Sequence, residues 1–173
     1  MRIISPHLQP LVILGIDPGS RITGYGVIAL AGRTTSVIDY GVVRAPRSEL
    51  GLRIRAIFEG VSALALRHSP DEIAIESSFV HLNPAVALAL GQARGAALAG
   101  ALAVERPLAE YAPRAVKLAI VGSGKAEKIQ VALMVRHLLG LNGPIAEDAS
   151  DALAVALCHA HSRGLAARLA VQA

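Results

Sequence analysis

Residues 11–28 constrain the fold more than any other part of this 173-residue chain. The apolar run 11–16 has the length and composition of a fully buried strand. The run ends on Asp17, and the Pro-Gly dipeptide that follows predicts a tight turn, because proline presets φ and glycine accepts a positive φ. A second β-rich run covers residues 22–30. The pattern predicts a hairpin with a carboxylate at the end of its buried strand.

Asp17 has two interpretations at this point. A carboxylate at the end of a buried strand has lost part of its hydration and needs a cation. The stretch carries no basic residue except Arg21, so a metal ion is the natural partner. The alternative is that Asp17 only caps the turn, as aspartate often does.

The composition fits one domain that is large enough to bury a real core. Hydrophobic residues make up 53% of the chain, and much of this share is alanine, which indicates close helix packing. The net charge of +4 makes an anionic partner plausible,. The most apolar stretch, residues 85–104, carries Arg94 near its middle, which argues against a membrane span.

A single cysteine, Cys158, excludes an internal disulfide framework and fits a reducing, cytoplasmic location,. Residues 1–10 lack the pattern of a signal peptide and are expected to form a flexible extension. We expect one domain over residues 11–165, followed by a C-terminal tail over residues 166–173.

Turn signals and hydrophobic periodicity predict five strands and five helices. The strands are expected at 11–17, 22–30, 34–43, 71–76 and 107–111, and the helices at 48–67, 84–104, 113–120, 125–139 and 147–162. Three meandering strands followed by alternating helices and strands predict an α/β fold, with a five-stranded mixed sheet flanked by helices.

Acidic residues occur at the ends of several of these elements. Glu76 ends the fourth strand, and Asp148 and Asp151 are three residues apart at the start of the last helix, where they share a face,. The alternative for this pair is helix capping with dipole compensation. Asp17 and Glu76, however, both end apolar strands, and the carboxyl ends of parallel strands gather active groups. Such carboxylates suit Mg²⁺ or Mn²⁺ and phosphodiester hydrolysis.

Basic and aromatic residues near these acids suggest a nucleic-acid surface. Phe79 lies in a loop just after Glu76 and is a candidate for stacking on an unpaired base, or else for burial in the core. Arg114, Lys117, Lys125 and Lys128 lie in one segment. The alternative interpretation is that these four basic residues only form a solvated helix face.

Five segments of the chain resemble the RuvC-type Holliday-junction resolvases. The segments are 15–27, 74–76, 90–95, 117–128 and 148–154, in the family's order and spacing. The resemblance implies a ribonuclease H-like fold, a homodimer, Mg²⁺ dependence with two ions per active site, and paired nicking of four-way DNA junctions. It also implies RuvA- and RuvB-type branch migration proteins as partners.

The same resemblance assigns roles to individual residues. The family's four catalytic, metal-binding acids fall on Asp17, Glu76, Asp148 and Asp151. Its aromatic near the junction centre falls on Phe79, and its basic positions near the site fall on Lys117 and Lys128. The full set of expected DNA contacts is Phe79, Arg94, Arg114, Lys117, Lys125 and Lys128.

Two other functions remain open from the sequence. One is a nuclease of the same fold that cleaves RNA or RNA/DNA hybrids, and the other is an inactive junction-binding module. We also expect the homodimer to form through the helix at 84–104, because it is apolar nearly all round and Gly91, Gly95 and Ala99 recur at every fourth position,.

Overall fold

A computed structural model describes residues 9–77 and 83–171, with side chains described up to Arg163. The described chain forms a mixed sheet with helices on both faces. Its elements are β1 (Leu11–Asp17), β2 (Ile22–Ala31), β3 (Thr34–Arg44), α1 (Leu50–His68), β4 (Glu72–Glu76), α2 (Pro84–Ala101), β5 (Leu108–Tyr111), α3 (Pro113–Val121), α4 (Lys128–Leu139) and α5 (Glu147–Val171).

The sheet has five strands in the order β3-β2-β1-β4-β5. The first three strands form an antiparallel meander, while β4 runs parallel to both β1 and β5. The register pairs Ile16 with Ile75, so the strand-end acids Asp17 and Glu76 follow on neighbouring strands at the same edge. This confirms the expected five-stranded mixed sheet of an α/β fold.

Alternate residues of the central strands face two separate cores. Ile13 and Ala74 pack with α3, α4 and α5 on one face of the sheet. Leu14, Ile16 and Ile73 pack with α1 and α2 on the other. Because side chains alternate along a strand, Asp17 and Glu76 lie on the same face as Ile13 and Ala74, the face that α5 covers. No helix in the described residues is long and apolar enough to cross a lipid bilayer.

Three helix boundaries differ from the sequence prediction by three residues or more. The helix α4 begins at Lys128 instead of residue 125, because Glu127 and Gln130 form a reciprocal capping box that starts the helix later,. The helix α2 ends at Ala101 instead of residue 104. The helix α5 continues to Val171, past the predicted end near residue 162 and through most of the segment expected as a tail.

Glycines on β1 and β2 let α5 pack directly against the sheet. A Cβ on Gly15 would collide with the backbone of Ala152, and a Cβ on Gly26 would lie 2.7 Å from the Leu153 side chain. Gly24, which pairs with Asp17, faces the backbone carbonyl of Asp148 with no room for a side chain. The glycines of the first hairpin therefore bring the start of α5 to the end of β1.

Replacing Gly24 with alanine tests this close approach. The added methyl must push the first turn of α5 away from β2, and overpacking of this kind costs about 1–3 kcal/mol. We expect Gly24→Ala to lower the urea midpoint accordingly. Gly51→Ala is the matched control, since a Cβ at Gly51 meets open space in α1. Equal midpoints for the two variants would contradict the packing role of Gly24.

Candidate active site

Three of the four predicted acids line one cavity at the carboxyl edge of the sheet. Asp17, Glu76 and Asp151 line this space of about 120 Å³ from β1, β4 and α5. Two lysines, Lys117 and Lys128, line it as well. The remaining walls are apolar and are formed by Pro113, Val116, Val131 and Ala154. The structure therefore brings three of the four predicted acids together.

Asp148 stands beside this group without lining the cavity. Its charge raises the pKa of both Asp17 and Asp151, which places it within electrostatic reach of both. Asp148 lies in the first turn of α5, where an acid also interacts favourably with the helix dipole,. Asp151 is the fifth residue of α5, beyond the first turn, so capping does not account for it,.

Burial and mutual repulsion shift the acids toward protonation. Burial raises the pKa of Asp17 to about 7, and the charges of Asp151 and Asp148 add to the shift. Burial also raises the pKa of Glu76 to about 7, with repulsion from Asp17 next in size. Burial raises the pKa of Asp151 in spite of a hydrogen bond from Lys128. The site concentrates negative charge that the surrounding protein only partly neutralises.

The two lysines of the cavity are held in different ways. The Lys117 ammonium donates to the carbonyl of Ala126 at 2.8 Å. The Lys128 ammonium donates to Glu147 at 2.8 Å and to Asp151 at 3.1 Å. The charges of both lysines lower the pKa of Glu76. Both predicted basic positions therefore lie next to the acids.

Of the other predicted DNA contacts, the three that the structure describes do not line the cavity. Arg114 packs over Gly124 in the loop after α3, and Lys125 lines a separate cleft beside that loop. Arg94 forms an ion pair with Glu110, in which its own side chain is mostly buried. Phe79 lies outside the described residues.

Two groups of residues at or near the site escaped the sequence prediction. Glu147 is the second partner of Lys128. Its position directly before Asp148 is the one feature of the sequence that could have indicated a role at the site. Behind the cavity, His159 bonds to Glu72 at 2.7 Å and to Tyr111 at 2.8 Å. These bonds tie α5 to β4 and β5.

The donor set fits a hard divalent cation. Asp17, Glu76 and Asp151 offer carboxylate oxygens, which Mg²⁺ and Mn²⁺ prefer, and the cavity has no thiolate or imidazole in its lining,. Within the described residues, no three acidic, histidine or cysteine side chains converge closely enough to enclose an ion. The Asp151 carboxylate instead accepts a hydrogen bond from the Lys128 ammonium.

Comparisons with known proteins agree with this geometry. The family model described as crossover junction endodeoxyribonuclease RuvC matches residues 13–159. The crossover junction endodeoxyribonuclease RuvC of Halorhodospira halophila is 54% identical over 87% of this chain and 90% of its own length. That of Burkholderia vietnamiensis is 51% identical over 87% of this chain and 83% of its own. Thermus thermophilus RuvC, solved in complex with Holliday junction substrate, superposes with a TM-score of 0.83 at 36% identity, covering 90% and 96% of the two chains.

An acid-lined cavity at the carboxyl edge of this sheet defines a nuclease of the ribonuclease H-like class. Within that class, the chain belongs to the RuvC family of crossover junction endodeoxyribonucleases, whose members are metal-dependent.

The raised pKa values predict how pH affects stability without metal. Asp17 and Glu76 titrate near 7 in the folded protein but near 4 when unfolded, so their stabilising contribution is present below pH 4 and lost as pH rises through 7,. In EDTA, we expect the melting temperature to fall on the order of 5 °C between about pH 5.5 and 8.5.

The Asp17→Asn variant should show a smaller fall, because it removes one buried charge and relieves Glu76. Glu49→Gln serves as the control, since Glu49 is an exposed acid at the start of α1 with no side-chain cap bond. Differential scanning calorimetry measures the difference. Parallel pH profiles for wild type and Asp17→Asn would show that the Asp17 carboxylate is not strained.

Proposed function

We propose that this protein is a structure-selective endodeoxyribonuclease that resolves Holliday junctions by paired, symmetric nicks in recombination and DNA repair. The observation that carries the proposal is the cavity in which Asp17, Glu76 and Asp151 meet two lysines, in a member of a resolvase family. The RNA-directed alternative draws no support from the relatives, since each of those reported carries the name of the junction enzyme.

The four acids would hold the metal. We assign Asp17, Glu76, Asp148 and Asp151 as ligands of Mg²⁺, with Mn²⁺ as a substitute and two ions per active site. When bound, the ions would supply Lewis-acid activation of the attacking water and of the scissile phosphate. The central position of Asp17, between Glu76 on the next strand and the acids of α5, suits it to serve both ions.

The cavity lysines would act on the DNA backbone. Lys117 and Lys128 line the same space as the acids, so a phosphate drawn toward the carboxylates comes within reach of their ammonium groups,. Arg114 and Lys125 lie on the neighbouring surface and would contact phosphates farther along the strand. Arg94 would have to break its ion pair with Glu110 before it could bind a phosphate. We retain Phe79 as a stacking residue from the family resemblance.

A homodimer would supply the second cut. One face of α2 packs on α1, where Gly100 touches Phe58 and Val61. The opposite face is exposed: Leu88 is 63% and Leu102 56% exposed, and Cβ atoms at Gly91 and Gly95 would meet open space. Such a stripe suits close approach of a second copy, and twofold symmetry presents two sites to two strands.

We propose RuvA- and RuvB-type branch migration proteins as partners and the cytoplasm as the location, both from the family resemblance.

Conversion of each acid to its amide tests the site. Asp17→Asn, Glu76→Gln, Asp148→Asn and Asp151→Asn should each abolish Mg²⁺-dependent cleavage of a synthetic mobile four-way junction. Each change is nearly isosteric and removes one metal-binding charge, so folding and junction binding in EDTA should persist. Gel assays of nicking and binding give the two readouts.

Matched duplex and RNA/DNA hybrid substrates separate the alternatives. Wild-type protein that cuts the hybrid faster than the junction would support the RNA-directed nuclease, and binding without nicks would support the inactive module. Asp151→Asn is the sharpest variant, because Asp151 lies beyond the first turn of α5, so a loss of activity would not reflect a loss of helix capping,. An active Asp151→Asn protein would remove Asp151 from the site.

The exposed face of α2 predicts the oligomeric state. Leu88→Glu should convert a wild-type dimer into a monomer, because it places a charge in the centre of an apolar contact. Leu66→Glu is the matched control, since Leu66 on α1 is 62% exposed. Sedimentation velocity at micromolar concentration distinguishes the states. A monomeric wild type, or a dimeric Leu88→Glu variant, would rule out this interface.

A further inference from the structure

Lys128 joins two acids of different exposure at the mouth of the cavity. Its ammonium lies 2.8 Å from Glu147 and 3.1 Å from Asp151. The Glu147 side chain is 70% exposed, while that of Asp151 is only 22% exposed. One cation therefore connects a solvated carboxylate at the rim with a buried carboxylate inside the site.

The position of Lys128 in α4 does not account for this arrangement. Lys128 is the first residue of α4, where a positive charge opposes the helix dipole,. Its two carboxylate partners come from α5 instead, and the hydrogen bond with Glu147 is the largest cause of its raised pKa. The other cavity lysine, Lys117, is bonded to the Ala126 carbonyl. Among the described residues, Lys128 is thus the cation that meets Asp151 directly.

We propose that the Lys128 ammonium competes with the divalent metal for the Asp151 carboxylate, and that Glu147 is a positioning residue that holds this ammonium away from Asp151 when the metal binds. This inference rests on the proposed metal site. A divalent ion at Asp151 repels the ammonium, and Glu147 then holds Lys128 at the rim. Without Glu147, the ammonium has Asp151 as its remaining carboxylate partner and blocks the ion more strongly.

The two side chains therefore have opposite effects on metal affinity. Removing Lys128 frees Asp151, so Lys128→Gln should tighten Mn²⁺ binding. Removing the Glu147 charge leaves the ammonium on Asp151, so Glu147→Gln should weaken it. Once Lys128 is gone, Glu147 has nothing to position, and its replacement should have little further effect. The Lys128→Gln/Glu147→Gln double variant should then behave like Lys128→Gln alone.

Mn²⁺ titration of the 173-residue chain without DNA, followed by electron paramagnetic resonance, measures these affinities. We expect the Kd to fall about threefold to fivefold in Lys128→Gln and to rise by a similar factor in Glu147→Gln, as expected for a partly exposed ion pair. Lys128→Arg should stay close to wild type because it keeps the charge. Glu49→Gln controls for net charge, and circular dichroism confirms folding.

Each result bears on a separate claim. If Glu147→Gln weakens Mn²⁺ binding equally with and without Lys128, Glu147 acts directly on the ion and the positioning role is overturned. If Lys128→Gln leaves the Kd unchanged while Asp17→Asn abolishes binding, the competition is overturned but the metal site stands. If Asp17→Asn leaves Mn²⁺ binding intact, the proposed metal site itself fails, and the inference fails with it.

Discussion

The close contact between α5 and the first hairpin is the constraint on which the rest of the site depends. Gly15, Gly24 and Gly26 leave no side chains between the strands and the helix backbone. The start of α5 therefore lies directly over the end of β1, and Asp151 meets Asp17 across the same cavity. A sheet surface with ordinary side chains would hold the helix, and its acids, farther away.

That contact has an electrostatic cost. It crowds Asp17, Glu76 and Asp151 in a poorly hydrated place with Asp148 beside them, and burial and mutual repulsion there raise the pKa of Asp17 and Glu76 to about 7. A separate polar cluster ties α5 to the sheet. There His159 bonds to Glu72 and Tyr111, and Arg163 also bonds to Glu72. A divalent cation is the species best suited to relieve the repulsion among the acids.

Prediction from sequence succeeded where the signal was local. The buried run before Asp17 and the apolar run before Glu76 ended as predicted, because strand ends follow the change from apolar to turn-forming residues. Helix ends were less predictable. The start of α4 depends on side-chain bonds between Glu127 and Gln130, and these depend on geometry that spacing only suggests. The predicted end of α5 near residue 162 was also too early, since the helix continues to Val171.

The sequence by itself determined the chemical set: four acids at element ends, their order along the chain, and basic residues between them. Those features are local or compositional. Only the tertiary structure decided that Asp17, Glu76 and Asp151 share a cavity while Asp148 stands beside it. It also decided that Arg94 is paired with Glu110 and that Lys128 bridges Glu147 and Asp151. These pairings join residues far apart in the chain, and their geometry depends on how helices and strands pack.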